Sequence, residues 1–190
     1  MSMEVTLIRH LATPGNLEKR FIGTTDPDLY PQAAKDLLEH YPEVDLVYVS
    51  PMKRTCQTAK LVYPGKELLV EKGLREMDFG DFEGKNYDDL NGNPIYQEWI
   101  DTEGKTTFPN AEPREEFIDR VEKAFENIIR DARRKNAEKI ALVVHGGTIM
   151  ALLDRLSEPH KDYYTWMCGN GAGYHCVFQD GKLEQVCALC

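Results

Sequence analysis

The stretch that decides the fold is Lys139-Ile-Ala-Leu-Val-Val144, which is followed at once by His145-Gly-Gly-Thr148. An uninterrupted apolar run of this length is typical of a strand covered on both faces, as strands in parallel sheets are. Upstream, Glu112 to Asn136 carries apolar side chains at intervals of three and four, with charges between them. This spacing predicts an amphipathic helix before the strand, and a second helix is predicted after it over Thr148–Leu156.

Apolar runs and helical patterns alternate along the rest of the chain. The predicted strands are Glu4–Arg9, Val44–Val49 and Glu67–Glu71, and the predicted helices are Pro31–Tyr41 and a segment through Arg54 to Leu61. Asp180-Gly181 lies between two further apolar runs, Tyr174 to Phe178 and Leu183 to Val186, and predicts a C-terminal β-hairpin. Strands separated by helices imply an α/β fold with a mostly parallel central sheet and helices on both faces.

The length of 190 residues suits a single domain over residues 1–190. One segment, residues 85–113, is different in kind because it is polar and rich in turn residues yet carries four large aromatic side chains. These are Tyr87, Tyr96, Trp99 and Phe108. We expect this segment to be a small cap-like excursion from the sheet, over a pocket, rather than a separate domain.

Composition narrows the class of protein. The hydrophobic fraction of 42% and charged fraction of 29% are those of an ordinary soluble protein. No apolar run approaches the ~20 residues of a membrane helix, and the N-terminus does not resemble a secretory signal, so a cytoplasmic location is expected. The net charge of -9 argues against nucleic acid or an anionic membrane as partner.

The five cysteines are an odd number, which favours reduced thiols in a cytosolic protein. Cys187-Ala-Leu-Cys190 is a CxxC motif without the βαβ surroundings of a redox site. A zinc site that combines Cys168 and Cys176 has a poor spacing. Since no HExxH or HxH spacing occurs either, the sequence predicts neither a metal nor a cofactor.

Cationic and imidazole side chains follow three of the predicted strands directly or within one helical turn. Arg9 and His10 follow the first strand, Arg54 comes shortly after the second, and His145 follows the Ile140–Val144 run. Ligands of open α/β sheets bind beyond the carboxyl ends of the strands. Four such groups would repel one another unless an anion lay between them. Arginine binds phosphoryl groups bidentately, so this edge predicts a phosphate site.

Five segments carry a resemblance to a known family, in that family's order, over roughly residues 4 to 150. They resemble the motifs of the histidine phosphatase (phosphoglycerate mutase-like) superfamily and comprise Leu7-Ile-Arg-His-Leu-Ala-Thr-Pro-Gly-Asn16, Phe21-Ile-Gly-Thr-Thr-Asp-Pro-Asp-Leu29, Val49-Ser-Pro-Met-Lys-Arg-Thr-Cys-Gln-Thr-Ala59, Leu74-Arg-Glu-Met-Asp-Phe-Gly-Asp-Phe-Glu-Gly84 and Val144-His-Gly-Gly-Thr148.

The resemblance implies a role for each matching residue. His10 would be the nucleophile that forms a phosphohistidine, and Glu76 the proton donor to the leaving alkoxide, with Asp78 as its substitute. The phosphoryl oxygens would be held by Arg9, Arg54 and His145, and substrate would be bound by Asn16, Thr13, Gly23 and Gly146. The physical logic agrees, because neighbouring arginines disfavour protonation of an attacking histidine.

The sequence departs from the family pattern at two places. Leu11 and Ala12 stand where glycine and an acidic residue are usual, and Ala111-Glu112-Pro113 stands where Gly-Glu-Ser is usual. Glycine adopts backbone angles that leucine resists, so we expect Leu11 to reshape the loop behind His10 and to make the pocket wall more apolar. Neither departure removes a catalytic side chain.

The short chain favours a hydrolase over a mutase, since the family's mutases carry longer insertions. Through Asn170-Gly-Ala-Gly-Tyr174 it is most similar to the bacterial α-ribazole phosphatases of cobalamin synthesis. The predicted function is metal-independent hydrolysis of a small phosphorylated metabolite such as α-ribazole 5′-phosphate. The aromatic side chains of Tyr87, Trp99 and Tyr164 would either stack on a heterocyclic base of the substrate or pack within the core or cap of the protein.

Three alternatives stay open to different degrees, and the sequence also leaves a homodimer open. The first is a cofactor-dependent phosphoglycerate mutase or another sugar or glycerate phosphatase. The second is a non-catalytic member that binds phospho-ligands. The third, a dinucleotide binder using Gly169-Asn-Gly-Ala-Gly173, is disfavoured because this motif runs into a strand near the C-terminus rather than opening a helix after the first strand.

Overall fold

The computed structural model describes residues 2–189, and its centre is one seven-stranded sheet in the order β3-β2-β4-β1-β6-β7-β5. β6 runs antiparallel to both of its neighbours, and every other pair in the described sheet is parallel. The strands are β1 (Met3–Arg9), β2 (Leu46–Val49), β3 (Leu68–Val70), β4 (Lys139–Val144), β5 (Ser157–Glu158), β6 (Gly173–Gln179) and β7 (Lys182–Ala188).

Helices connect the parallel strands and cover the sheet. They are α1 (Pro14–Leu17), α2 (Lys53–Val62), α3 (Tyr87–Leu90), α4 (Pro94–Asp101), α5 (Arg114–Arg134) and α6 (Gly146–Leu156). The long helix α5 begins two residues later than its sequence pattern, because Pro113 takes an extended conformation at its N-cap. Its apolar stripe is fully buried, as the periodicity predicts.

Alternate residues of β4 face two separate hydrophobic cores. Ile140 and Leu142 pack into the larger core with α5 and α6, whereas Ala141 and Val143 pack into a smaller core with α2. Side chains on a strand alternate between its two faces, so an unbroken apolar run is the pattern that two covered faces require. The predicted α/β fold with a mostly parallel sheet and helices on both faces is confirmed.

The parallel pair β1 and β4 brings the ends of two distant segments together. Arg9 pairs with Val144 at the last rung of the ladder, and the His10 backbone N–H donates to the Val144 carbonyl at 2.9 Å. His10 and His145, each the first residue after its strand, therefore emerge side by side. The register of one strand pair thus sets the position of both histidines.

The predicted C-terminal hairpin is confirmed as β6 and β7. Its turn residues Asp180 and Gly181 both have positive φ, 50° and 82°, which is the pattern of a type I′ turn. The hairpin joins the main sheet, because β6 pairs with β1 along six residue positions. The segment that leads into β6 therefore passes next to His10.

The helix predicted over residues 31–41 is wrong. Only a short 3₁₀ turn, Ala33–Asp36, forms there, and Leu37 is already extended with ψ of 136°. Ala33 is the one fully buried residue of the segment, so no apolar stripe is buried to stabilise a helix. The Leu38 N–H donates to the Tyr41 hydroxyl at 3.1 Å instead of to a helical carbonyl.

The segment over residues 85–113 contains α3 and α4 and packs around an aromatic cluster that it shares with preceding parts of the chain. Phe82, Leu90, Tyr96 and Phe108 form this cluster, with Phe21, Phe79, Trp99 and Ala111 packed against it. The cluster is separate from the two cores on the sheet. Phe21, Phe79 and Phe82 thus join the segment to the rest of the molecule.

None of the helices described within residues 2–189 is long and apolar enough to cross a membrane. Cys56, Cys168, Cys176 and Cys187 are free thiols. The predicted CxxC motif includes Cys190, which lies outside the described residues.

Candidate active site

His10 is held in one tautomer by its own loop. Its Nδ1 lies 2.7 Å from the Leu11 carbonyl oxygen, and since a carbonyl only accepts, Nδ1 carries the hydrogen. Nε2 therefore keeps its lone pair, and His10 lines a cavity near the strand ends. Burial, helped by the charges of Arg54 and Arg9, lowers the pKa of His10 to about 3. The ring is neutral at neutral pH, as a nucleophile must be.

His145 lies beside His10, with ring centroids 5.2 Å apart. Its Nε2 contacts the Ser50 hydroxyl at 2.7 Å, and Ser50 follows the end of β2 in the same row of strand ends. Burial and the neighbouring His10 and Arg54 hold the pKa of His145 well below its usual value. The Ser50 hydroxyl fixes which way this second imidazole points.

The two predicted arginines are anchored by backbone carbonyls rather than by tight ion pairs. Arg9 donates from Nη1 to the Cys168 carbonyl at 2.6 Å. Arg54, fully buried on the first turn of α2, donates to the carbonyls of Thr25 (2.8 Å) and Gly23 (3.0 Å). The closest carboxylate to Arg54 is Asp26, at 3.8 Å. Their positive charges are therefore only partly compensated by the protein.

Glu76 is buried against the start of α6. Its carboxyl group accepts from the Gly147 N–H at 3.1 Å and from the Met77 N–H at 3.0 Å. Burial raises the pKa of Glu76, although these hydrogen bonds and the arginines act in the opposite direction. Glu76 lines the same cavity as His10. A raised pKa at this place suits a carboxyl group that donates a proton as a general acid. Asp78 instead accepts from the Gly80 N–H in the following turn at 2.8 Å and does not line the cavity.

Within residues 2–189, three buried nitrogen atoms of this group have no hydrogen-bond partner: Arg9 Nε, Arg54 Nε and His145 Nδ1. Buried polar groups are nearly always satisfied, and an unsatisfied one costs about 1–3 kcal/mol. Two of these nitrogens belong to arginines whose charges act on His10, and the third belongs to the ring beside it; Arg9 lines the cavity, whereas Arg54 and His145 lie behind its wall. Such a group of cations and free donors is suited to an anion with several oxygens. A phosphoryl group has that charge and that number of acceptors.

The cavity in front of His10 has a volume of about 270 Å³ and combines polar and aromatic walls. Arg9, Glu76, Gly146 and Gly147 contribute polar groups near His10. The more distant wall is formed largely by Phe79, Trp99, Phe108, Met150, Tyr163 and Tyr164. A small molecule with one phosphate and a larger organic part would match this division.

The four predicted substrate-binding residues lie at different distances from the cavity. Asn16 and Gly146 line it. Thr13 is fully buried, and its N–H and hydroxyl both donate to the Asn16 side-chain oxygen at 3.0 Å. Gly23 does not line the cavity; its carbonyl holds Arg54, and an added Cβ would come within 1.9 Å of the Met77 carbonyl. Thr13 and Gly23 thus support neighbours that face the site.

Leu11 does not form the apolar pocket wall that the sequence predicted. The φ angle of Leu11 is not positive, so this position does not need glycine. Its side chain is fully buried, its N–H donates to the Thr58 hydroxyl at 2.9 Å, and it does not line the cavity. The expected apolar pocket wall at Leu11 is therefore wrong, because the side chain packs inward.

The glycine-rich segment before β6 packs against the loop of the nucleophile. The Gly171 N–H donates to the Arg9 carbonyl at 3.0 Å, and the Asn170 side chain donates to the His10 carbonyl at 2.9 Å. Gly171 has a φ of 76°, and an added Cβ would lie 2.6 Å from the Asp36 carbonyl. Gly173 is likewise required, since an added Cβ would lie 1.8 Å from the Leu7 carbonyl, so close packing of backbones explains these two glycines without a dinucleotide.

Of the three aromatic side chains considered for stacking, Trp99 and Tyr164 line the cavity. Tyr87 is 60% exposed and contacts Tyr96 instead, so it does not reach the site. Glu83 was not among the predicted site residues. Its carboxylate accepts from the N–H groups of Gly23 and Thr25 and so fixes the loop around Arg54. The one sequence feature that pointed to Glu83 was its place in the acid-bearing segment.

Comparison with known proteins assigns the family. The profile of the histidine phosphatase superfamily (branch 1) matches residues 5–188, and the chain belongs to this superfamily. A Hydrogenobacter thermophilus protein named "Putative phosphoserine phosphatase 2" is 32% identical over 158 residues, 77% of this chain and 75% of that protein.

Two further similarities agree. The adenosylcobalamin/alpha-ribazole phosphatase of Escherichia coli is 31% identical over 163 residues, 81% of this chain and 79% of that protein. The crystal structure of a phosphoglycerate mutase from Bacillus anthracis has a TM-score of 0.77 and covers 99% of this chain, with 92% of that chain covered; at 23% identity it shows the shared fold. The chain is thus a phosphatase of the histidine phosphatase superfamily.

Proposed function

We propose that this phosphatase hydrolyses phosphomonoesters without a metal ion, through a phosphohistidine at His10. The observation that carries the proposal is the neutral His10 ring with an available Nε2, set among three unpartnered buried nitrogens of Arg9, Arg54 and His145. The arginines would supply the positive charge that phosphoryl transfer requires.

In the first step, His10 Nε2 attacks phosphorus while the bond from phosphorus to the ester oxygen breaks. Arg9, Arg54 and His145 donate hydrogen bonds to the phosphoryl oxygens, each charge-assisted bond being worth about 1.5–3 kcal/mol. Glu76 transfers its proton to the departing alkoxide. The products of this step are an alcohol, phosphohistidine at His10 and the Glu76 carboxylate.

In the second step, water cleaves the phosphohistidine. The Glu76 carboxylate takes a proton from the water as its oxygen attacks phosphorus and the bond to Nε2 breaks. Inorganic phosphate leaves, and His10 and Glu76 return to their starting forms. One carboxyl group therefore serves as acid and then as base, for which a raised pKa is suited.

For the substrate we propose a small phosphorylated metabolite, and α-ribazole 5′-phosphate is the compound that the resemblance favours. Trp99 and Tyr164 on the cavity wall support an organic group with an aromatic or apolar part. Such metabolites are made in the cytoplasm, where we propose the enzyme acts. We further propose that residues 85–113 form a cap over the leaving group, within a single domain. A phosphoglycerate mutase or a sugar or glycerate phosphatase is the alternative.

The test is turnover of p-nitrophenyl phosphate, α-ribazole 5′-phosphate, 3-phosphoglycerate and sugar phosphates by the wild type and His10→Ala, each with and without EDTA. We expect the wild type to be active with EDTA and the variant to lose at least about 10³-fold in kcat, because it lacks the nitrogen that would form the covalent intermediate.

Circular dichroism and thermal unfolding of His10→Ala serve as the control for folding. Substantial turnover by a folded His10→Ala would refute the phosphohistidine mechanism. Loss of wild-type activity with EDTA would point to a metal enzyme, and phosphate binding without any turnover would point to a non-catalytic member.

A further inference from the structure

The proposed proton donor lies in a stretch of chain without regular secondary structure. Glu76 belongs to residues 75–79, between the short 3₁₀ turns Lys72–Leu74 and Gly80–Phe82. Its carboxyl group accepts from two N–H groups, but these bonds form only when the backbone of the segment is already in place. Contacts of that backbone with other elements therefore decide where the carboxyl group lies.

Arg120 of α5 binds the backbone on the N-terminal side of Glu76. Its Nη1 donates to the carbonyl of Arg75, the residue before Glu76, at 3.1 Å, and to the carbonyl of Gly73 at 2.7 Å. Gly73 allows this approach, because an added Cβ would lie 2.6 Å from the Cβ of Ala124 on the same helix. A side chain at Gly73 would therefore push the segment away from α5.

Glu112 completes the contact on the C-terminal side of Glu76. Its carboxylate accepts two parallel hydrogen bonds from Arg120, from Nε at 2.8 Å and from Nη2 at 2.7 Å. The side chain of Arg75 contacts the same carboxylate at 3.5 Å. The Glu112 backbone N–H donates at 3.0 Å to the carbonyl of Asp78, two residues after Glu76. Arg120 and Glu112 together thus form a clamp that holds the chain before and after Glu76.

Burial makes this clamp a poor source of stability. The side chains of Arg120 and Glu112 are only 20% and 12% exposed. The cost of removing such a pair from water offsets much of its Coulomb attraction, so apolar side chains of similar volume would stabilise the fold about as well. Apolar side chains would not, however, donate to the two carbonyls. Arg120 does not line the cavity, so it acts on the reaction through the residues that it holds.

We propose that Arg120 and Glu112 are positioning residues for proton donation, and that their clamp holds the Glu76 carboxyl group where it reaches the leaving oxygen. The inference rests on the proposed function, in which Glu76 is the acid. Loss of the clamp impairs protonation of the leaving oxygen and leaves the attack by His10 largely unchanged.

The test compares two aryl esters of similar size, phenyl phosphate and p-nitrophenyl phosphate, in the first turnover. Phenolate is the more basic leaving group and needs the proton, whereas p-nitrophenolate leaves without it. Arg120→Lys loses the fork but keeps the positive charge, which also acts on His145. In this variant we expect the first-turnover rate to fall about 10–100-fold with phenyl phosphate and less than about threefold with p-nitrophenyl phosphate.

Two further variants sharpen the comparison. In the Glu76→Gln background the acid is already absent, so adding Arg120→Lys should change the ratio of the two first-turnover rates by less than about twofold. Arg130→Lys, the same change at an exposed position of α5, is the matched control and should leave both rates unchanged. Circular dichroism and thermal unfolding establish that each variant is folded. Should Arg120→Lys not fold, Glu112→Gln carries the same comparison.

An equal loss with both esters in the folded variant would indicate a general structural role and overturn the proposal. So would unchanged rates, or a further selective loss when Arg120→Lys is added to Glu76→Gln. In each of these cases, turnover of both esters by the wild type shows that the phosphatase function itself stands. A wild type that hydrolyses neither ester, or a Glu76→Gln variant without selective loss, would instead contradict the proposed function and this inference together.

Discussion

His10 combines two properties that rarely coincide on one side chain: it is almost fully buried, and one of its nitrogens has no hydrogen-bond partner within the described chain. The Leu11 carbonyl fixes the tautomer, while Arg9 and Arg54 disfavour the protonated ring. The same cations attract a phosphoryl group. In the proposed mechanism, a single arrangement of charges would thus both keep the histidine neutral and bind the group that it attacks.

Glu76→Gln separates acid catalysis from binding. The amide keeps the shape but cannot donate or accept the proton, so kcat/KM for an alkyl phosphate should fall about 10²–10⁴-fold. p-Nitrophenolate leaves without a proton, so the rate of its release in the first turnover should fall much less. Stopped-flow measurement should show a burst of p-nitrophenol followed by slow turnover, because the second step also needs the carboxylate. An equal first-turnover loss on both esters would exclude Glu76 as the acid.

At the scale of the elements, the site exists because parallel strands end together. β1, β2 and β4 are neighbours in the sheet, and the residues just beyond them are His10, Ser50 and His145. The antiparallel β6 then brings the Asn170–Ala172 segment back against the loop after β1, where it binds the backbone of Arg9 and His10. The nucleophile loop is therefore fixed from two sides by backbone hydrogen bonds.

One aromatic pair joins α5 to β6. Phe125 of α5 is buried and packs edge-to-face on Phe178 of β6, with centroids 5.3 Å apart. Phe125→Ala should lower the free energy of unfolding by about 3–5 kcal/mol, as large truncations in cores do. Urea denaturation measures this. Exposed Glu126→Ala, the neighbouring residue, should stay within about 0.5 kcal/mol of the wild type; an equal effect of both changes would contradict the packing argument.

For the molecule as a whole, the buried histidines make stability depend on pH. The pKa of His10 is lowered from 6.5 to about 3 on folding, so between these values the unfolded chain binds a proton that the native protein excludes. Above pH 6.5, His10 does not change the free energy of unfolding. That free energy falls as the pH drops from 6.5 toward 3, and below pH 3 His10 lowers it no further. His145 acts in the same direction.

His10→Asn should remove that contribution. Chemical denaturation of the wild type and of His10→Asn at intervals from pH 7.5 to 4 measures the difference in their free energies of unfolding. We expect the difference to shift in favour of the variant as the pH falls, by up to about 1.4 kcal/mol per pH unit. A difference that stays constant over this range would show that His10 is not buried in its neutral form.

Some of this protein is determined by its sequence alone, and the cause is local in each case. The five apolar residues of β4, the charged and apolar stripes of α5 and the Asp180-Gly181 turn each specify one element through a periodicity or a backbone preference. The order of these elements was enough for the fold class. The resemblance of five short segments was enough for the family, which the profile match confirms.

Tertiary packing decided what local patterns could not. Residues 31–41 carry a helical pattern but remain largely irregular, because their leucines are only partly buried. Leu11 fits a position where the family usually has glycine, since its side chain turns into the core and its φ is not positive. The guanidinium of Arg114 lies over the ring of Tyr163, 4.0 Å from its centroid, although the two residues are far apart in the chain. Contacts between such distant residues have no periodic signature in the sequence, because they arise only when the sheet aligns its strand ends.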